Sequence, residues 1–500
     1  MNKAGVARLR EFAGAEEARP ALLGFVGALL ICAGGLGAGS TRLHDPVLEG
    51  WHLSWLRFGH GLVVSSILLW SGVALMLVAW LWLGRRVVHQ DTTVYTMVAT
   101  TGFWLAPLLA SVPLFSRDTY SYLAQGALLR DGLDPYAVGP VENPNALLDD
   151  VSPIWTTTTA PYGPAFILIA RFVTMLVGEN VIAGTMVLRL CMLPGLVLLI
   201  WATVRIARHL GANAAVALWI CVLNPLVIIH LMGGVHNEML MVGLMAAGIA
   251  LTLDRRPIAG IALVAAAVAV KATAGVALPF LVWVWMRQLQ NRPAQRGTEG
   301  APRHPVTAFL AASAGSVGIF VAVFAVLSWL AGVGLGWLTA LAGSVKIINW
   351  LTIPTAIANL SNAIGGLFFD VNFYAVLEVT RIGGILVMVL ALPVLWWRFR
   401  HTDREALAGT AWAMGVVVLF VPAALPWYYT WLLAVLAPLT QSRTWLAGIA
   451  GFSTWIMVIF KPDGSHGMYS WVHVLLATAC GVGAWYSLRR ADVPRQAVDR

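Results

Sequence analysis

Charged side chains are scarce in this chain. Asp, Glu, Lys and Arg make up 11% of its 500 residues, while 59% are hydrophobic. A soluble domain of that length needs far more polar surface, so the composition excludes one. Cysteine is nearly absent too. Cys32, Cys191, Cys221 and Cys480 lie far apart within apolar segments, which excludes a disulfide framework and the spacing of a metal-ligand set. There is no glycine-rich nucleotide loop, no cytoplasmic Asp-x-Asp pair, no ATPase motif and no internal repeat. No long polar stretch stands apart to host a separate soluble activity.

Apolar runs fill the space that these absences leave. Runs of the length a hydrocarbon core demands of a spanning helix recur at about 21–40, 60–84, 93–115, 214–231, 306–330, 376–397, 406–424, 428–441, 445–460 and 471–488. The fold class expected is an all-α polytopic membrane protein of about 14–16 membrane helices. The net charge of +9 would suggest a nucleic-acid partner in a soluble protein, but here the basic residues sit in short loops between apolar runs. Arg85-Arg86, Arg205–His209, Arg255-Arg256, Arg287–His304, Arg398–Arg404, Arg443 and Arg489-Arg490 mark those loops as cytoplasmic, with both termini inside. Membrane lipids are the expected surroundings and no nucleic-acid partner is expected. Lys3, Arg8 and Arg10 before the first apolar run could pass for a signal peptide, but the run reads as a retained first helix.

The remaining turns then face outward. Residues 116–163 hold six acids (Asp118, Asp131, Asp134, Glu142, Asp149, Asp150) against two bases (Arg117, Arg130), a net −4. This segment is rich in turn formers and should carry one or two short interfacial helices. Two regions resist a simple count. Residues 164–207 are broken by Gly178-Glu179-Asn180, Arg189 and Pro194, which suits three short helices or one helix with a re-entrant hairpin. Residues 257–286 carry Lys271 at their middle, which suits two short helices meeting there, as membrane sites at depth are commonly built. The implied organisation is a cytoplasmic N-terminus (1–20), an accessory helix pair (21–90) and a catalytic core (91–287). A cytoplasmic linker (288–305), a C-terminal membrane region (306–488) and a tail (489–500) follow.

Four polar clusters are not required by apolar spans. Arg117-Asp118 is an ionisable pair at a membrane edge, costly unless it serves a function. Its acid reads either as an interfacial carboxylate paired with Arg117 or as a general base for an incoming hydroxyl. Tyr120, Tyr122 and Gln125 follow at a spacing that can share a helical face and form a sugar-contacting wall. Lys271, amid Ala, Val and Gly, reads as a snorkelling residue or as a site for an anionic group. His236, Asn237 and Glu238 open a helix whose N-terminus favours anions. Tyr162, with Trp427, Tyr428 and Tyr429 on the same outward side, reads as an aromatic belt or as a groove for sugar rings or an isoprenoid tail. One His and one Glu two positions apart are poor evidence for a metal, so no metal ligand is assigned. With no nucleotide loop, group transfer here would need a preactivated, membrane-borne donor. A prenyl phosphate suits that role, because Lys271 and Arg117 could stabilise the phosphate as it leaves.

The run Phe115-Ser-Arg-Asp-Thr-Tyr-Ser-Tyr-Leu-Ala-Gln-Gly126, with Asp134-Pro-Tyr136, Tyr162-Gly-Pro164 and Gly234-Val-His-Asn-Glu238, resembles the actinobacterial polyprenol-phosphate-mannose-dependent mannosyltransferases. Within that group it is most similar to the mycobacterial MptA-type α-(1→6)-mannosyltransferases, over nearly the whole chain. The resemblance implies the glycosyltransferase C superfamily, with Asp118 at the usual place of the catalytic base. Members often show a second adjacent acid. Here Arg117 stands beside Asp118, and the metal requirement stays open. The resemblance also implies a polyprenyl-phosphate mannose donor and a lipomannan or lipoarabinomannan acceptor at the plasma membrane, with an extracytoplasmic site. Arg117, Lys271, His236, Asn237 and Glu238 are the expected donor-binding residues. Tyr120, Tyr122, Gln125, Tyr162, Trp427, Tyr428 and Tyr429 are the expected acceptor or lipid contacts. Two alternatives remain at this point: a transferase for another polyprenyl-phosphate sugar such as arabinose, and a polytopic transporter or flippase.

Overall fold

The computed structural model describes residues 16–89, 92–291, 304–341 and 346–490. The expected cytoplasmic N-terminus, most of the 288–305 linker and most of the tail lie outside the described residues. Among those described, the architecture is helical throughout, with one isolated antiparallel bridge between Phe460 and His466. The helices of eight or more residues are α1 (Ala18–Ala38), α2 (Gly59–His89), α3 (Val94–Leu108), α4 (Asp118–Arg130), α5 (Pro164–Val177), α6 (Val181–His209) and α7 (Ala214–Cys221). After a π-helical segment at Leu226–Gly233 come α8 (Glu238–Leu253), α9 (Pro257–Val270), α10 (Leu278–Gln290), α11 (Pro305–Ala331) and α12 (Ile353–Gly365). The last five are α13 (Phe373–Arg398), α14 (Asp403–Phe420), α15 (Tyr429–Leu436), α16 (Arg443–Ile459) and α17 (Trp471–Arg489).

Seven helical stretches are long and apolar enough to cross a bilayer, and the bent pair α7 and Leu226–Gly233 makes an eighth. Five apolar helices of 10–17 residues, α3, α5, α8, α9 and α16, fill in between them. The protein is therefore a multi-pass membrane protein in which short helices share the work of long ones. α11, α13 and α17 expose Val317, Val321, Leu386, Leu390, Leu475 and Val482, an apolar surface that suits lipid. α6, α8 and α9 bury their apolar residues against one another and form the core that holds the site.

Two readings of the sequence need correction. α6 runs unbroken through both Arg189 and Pro194, so residues 164–207 form one short and one long helix. Arg189 does not interrupt the helix because its guanidinium is spent on carbonyls at neighbouring helix ends, those of Leu109, Met232 and Gly233. The 116–163 segment carries short helices at Pro140–Glu142 and Pro153–Thr156 and opens with α4, ten of whose residues, Thr119 to Leu128, are buried. The run from Val94 stops early. Its helix ends at Leu108, one residue past Pro107, and an irregular stretch carries the chain to Asp118. Residues 257–290 do form two short helices, joined through Lys271 and a 3₁₀ turn at Ala272–Ala277.

Close packing of α6 on α8 depends on glycine. A methyl added at Gly243 would lie 2.0 Å from the Gly195 carbonyl oxygen, too close for any carbon. We expect Gly243→Ala to destabilise the solubilised protein by about 1–3 kcal/mol. At Gly448 in α16 an added methyl meets nothing within 4 Å, so Gly448→Ala should be neutral or stabilising. Thermal denaturation of the two variants checks the contrast, and equal melting temperatures would contradict it.

Candidate active site

Asp118 opens α4, and two features of the chain aim it. Phe115 just upstream has φ +62°, a conformation that costs a bulky L-residue about 1–3 kcal/mol and persists only where surroundings enforce it. Its N–H donates to the Pro462 carbonyl at 2.8 Å, which holds the turn. Asp118 N–H then donates to Ser116 Oγ at 3.0 Å. Val235, a β-branched residue, has φ +57° one position before His236. Strained backbone thus flanks the two groups that meet: His236 Nδ1 lies 3.7 Å from Asp118 Oδ2.

Burial, then the negative charge of Glu238, push the Asp118 carboxyl up to about 6. Lys271 and hydrogen bonding from Ser116 and Trp155 pull it back down. Burial, with His230 and Lys271 nearby, holds the His236 imidazole far below its usual range, so it faces Asp118 as a neutral ring. A carboxyl near 6 is ionised at neutral pH yet basic enough to take a proton.

Lys271 stands opposite, in the non-helical gap between α9 and the 3₁₀ turn. Its ammonium pairs with the fully buried Glu238 carboxylate. The rings of Tyr428, Trp431 and Tyr162 surround it with centroids at 4.3, 5.4 and 5.8 Å. Tyr162 reaches this place because Gly163 packs its Cα against the α9 backbone; a methyl there would sit 2.4 Å from the Ala269 carbonyl oxygen. A cavity of about 130 Å³ lies between the two ionisable groups. Asp118, Ser121, Gln125, Trp155, Tyr162, Lys271, Tyr428 and Trp431 line it. Asp118, Ser121 and Gln125 are spaced i, i+3, i+7 and form one face of α4.

The structure sorts the expected site residues. Asp118, Lys271, Gln125, Tyr162 and Tyr428 line the cavity. His236, Asn237 and Glu238 are fully buried beside this cavity without lining it. Trp427 stacks on His236 at 3.7 Å between ring centres. Tyr122 lies edge-on to Tyr162 and Phe166.

Three residues sit elsewhere. Arg117 does not pair with Asp118: it bonds to the carbonyls of Asp150 and Thr41 and lies 3.6 Å from the Asp150 carboxylate, because a helix-opening residue points away from its successor. Tyr120 turns from the cavity to donate to the Ser40 carbonyl, since it falls off the i, i+3, i+7 face. Tyr429 likewise donates to the Leu351 carbonyl and packs on Phe452. Ser121 and Trp431 line the cavity without having been singled out; helical spacing from Asp118 and from Trp427 and Tyr428 was the signal for them. Among the described residues no group of three or more His, Cys, Asp or Glu gathers as a metal cluster.

An all-α polytopic membrane fold with one carboxylate facing a caged ammonium across a cavity fits a membrane glycosyltransferase. Comparison with known proteins gives the family. A family model described as alpha-(1→6)-mannopyranosyltransferase, N-terminal domain, matches residues 21–287, and the MptB C-terminal domain matches residues 354–490. The chain is 70% identical over 486 residues to alpha-(1→6)-mannopyranosyltransferase A of Mycobacterium tuberculosis, covering 97% of this chain and 93% of that one. It is 39% identical to alpha-(1→6)-mannopyranosyltransferase A of Corynebacterium glutamicum, over 90% of this chain and 94% of the relative. Alpha-(1→6)-mannopyranosyltransferase B of the same organism is 30% identical, over 94% and 82%. The protein belongs to the MptA/MptB family of α-(1→6)-mannopyranosyltransferases.

Proposed function

We propose that this protein is an inverting α-(1→6)-mannosyltransferase that takes mannose from polyprenyl-phosphate mannose. It adds the sugar to a growing α-(1→6)-mannan, the backbone of lipomannan and lipoarabinomannan, at the extracytoplasmic face of the plasma membrane. The observation that carries the reading is Asp118 facing the Lys271 cage across one cavity. Asp118 removes the proton from the 6-hydroxyl of the acceptor mannose as O6 attacks C1 of the β-linked donor. The C1–O bond to phosphate breaks in the same displacement, the electron pair leaves with the lipid phosphate, and inversion at C1 gives the α linkage. A phosphate leaves as a stable anion and needs no general acid, so one carboxylate is enough. Lys271 meets the charge that develops on the leaving oxygen, in a site walled by the rings of Tyr162, Tyr428 and Trp431.

The apolar surroundings of the cavity, Leu341, Val421, Ala423 and Leu425, suit a lipid-borne donor better than a nucleotide sugar. Purified protein in detergent should transfer mannose from polyprenyl-phosphate mannose to a short α-(1→6)-mannan, with a new α-(1→6) bond in the product. GDP-mannose, polyprenyl-phosphate arabinose and polyprenyl-phosphate glucose should give none. Transfer from GDP-mannose, or arabinose in the product, would overturn the donor assignment.

A further inference from the structure

Asp118 lines two cavities, of which the Lys271 cavity is one. The second has a volume of about 330 Å³, within the range of small-molecule sites. Arg117, Ser152, Asn349, Trp427, Asp463, Ser465 and His466 line it. The two spaces share a wall made of Asp118, Trp155, Ile347 and Leu425. A base that deprotonates one substrate as it attacks another has to reach both. A carboxylate set in the common wall of two chambers meets that requirement.

Charge decides which substrate belongs where. The Lys271 cavity offers a cation caged by aromatic rings. The second chamber offers Arg117, whose guanidinium is already met by Asp150 at 3.6 Å, and the exposed carboxylate of Asp463. A phosphate would be repelled by Asp463. A neutral polyol can donate hydroxyls to that carboxylate and accept from the remaining donors. Resting on the mannosyl-transfer reading above, we infer that this second chamber is the acceptor subsite. It takes the terminal sugar of a neutral glycan, and the 460–466 turn is its recognising wall.

That wall is built before any ligand arrives. Lys461 N–H donates to the Ser465 carbonyl at 2.8 Å, Gly464 turns the chain at φ +94°, and the Phe460–His466 bridge closes the turn. The Pro462 carbonyl accepts from Phe115 N–H at 2.8 Å, so the turn is fastened to the stretch that aims Asp118. Ser465 N–H and Oγ both donate to Asp463 Oδ1, at 2.9 and 2.7 Å. These bonds fix the carboxylate while a second oxygen remains for sugar hydroxyls. His466 Nδ1 is shielded from solvent and has no hydrogen-bond partner among the described residues. A sugar hydroxyl would satisfy it. Trp155, half-buried in the shared wall, offers a ring face against which the C–H face of a pyranose can pack beside Asp118.

The test uses the full-length protein in detergent and the methyl glycoside of an α-(1→6)-linked mannotriose as acceptor. Asp463→Ala and His466→Ala should each raise the acceptor KM roughly tenfold or more while the KM for polyprenyl-phosphate mannose stays within about twofold. Lys271→Gln should do the reverse. A filling variant, Ser465→Tyr, should abolish transfer to the mannotriose. Saturation-transfer NMR with the mannotriose alone reads binding without turnover. Its signal should persist in Lys271→Gln and vanish in Ser465→Tyr. Signal loss in Ser465→Tyr would uphold the chamber even if the wild type rejects polyprenyl-phosphate mannose, which would overturn only the donor. An unchanged acceptor KM and an unchanged NMR signal in all three chamber variants would overturn the inference.

Discussion

Asp118→Asn should lower transfer by about 10²–10⁴-fold, the range expected when a general base is removed, while donor binding survives. In the wild-type protein kcat/KM should rise with pH through about 6, as the carboxyl loses its proton, and level off above. Initial rates with polyprenyl-phosphate mannose between pH 5 and 8 read the limb directly. A flat profile, or substantial turnover by the Asn variant, would remove Asp118 from the role of base.

The same raised carboxyl carries a stability consequence of definite sign. Asp118 titrates near 3.8 when free and at about 6 in the folded protein. The folded state therefore holds the proton over a window in which the unfolded state has lost it. Stability falls as pH rises from 3.8 to about 6, and the cost is complete above that, on the order of 2–3 kcal/mol. Asn has no charge to desolvate. Asp118→Asn should therefore melt higher than wild type at pH 7.5, with the gap closing as pH falls below 5. A variant that loses activity and gains stability marks a site that pays for function; a misfolded variant would lose both.

Much of this was legible in the chain, for physical reasons. Apolar runs report spans because lipid tolerates little else, so the long helices α1, α2, α11 and α13 fall within a few residues of the runs that forecast them. Asp118 stands out as half of an ionisable pair at the edge of an apolar run, and Lys271 as a cation amid Ala, Val and Gly, because ionisable groups are costly there. What could not be read was partnership. Arg117 adjoins Asp118 in sequence yet serves Asp150, because a helix start splays neighbouring side chains apart. The cluster at 236–238 looked like an open anion site, but burial under Trp427 is a tertiary fact. Arg189 reads as a break because hydropathy cannot see the carbonyls that receive its guanidinium. The cavity walls come from segments around 118, 155, 271, 347 and 428, and the second chamber adds 463–466. No local pattern announces that these distant stretches converge.

Lys271 and Glu238 form a buried ion pair, and that makes a single substitution ambiguous. Lys271→Gln removes the charge proposed to meet the leaving phosphate, and it also strands the Glu238 carboxylate with no counter-ion. Breaking a buried pair on one side costs about 3–5 kcal/mol of stability, while losing one preorganised electrostatic contact costs roughly 10²–10³-fold in rate. We expect both losses in Lys271→Gln. The double variant Lys271→Gln with Glu238→Gln should recover most of the stability and none of the rate, because no buried charge is left unpaired and no cation faces the phosphate. Glu238→Gln alone keeps the ammonium and should retain most of the turnover. The pH profiles separate the two residues further. Glu238 raises the Asp118 carboxyl and Lys271 lowers it, so the acidic limb should move below about 6 in Glu238→Gln and above it in Lys271→Gln. If the double variant regained activity along with stability, Lys271 would be only the counter-ion of Glu238, and the phosphate would have to be met by another group.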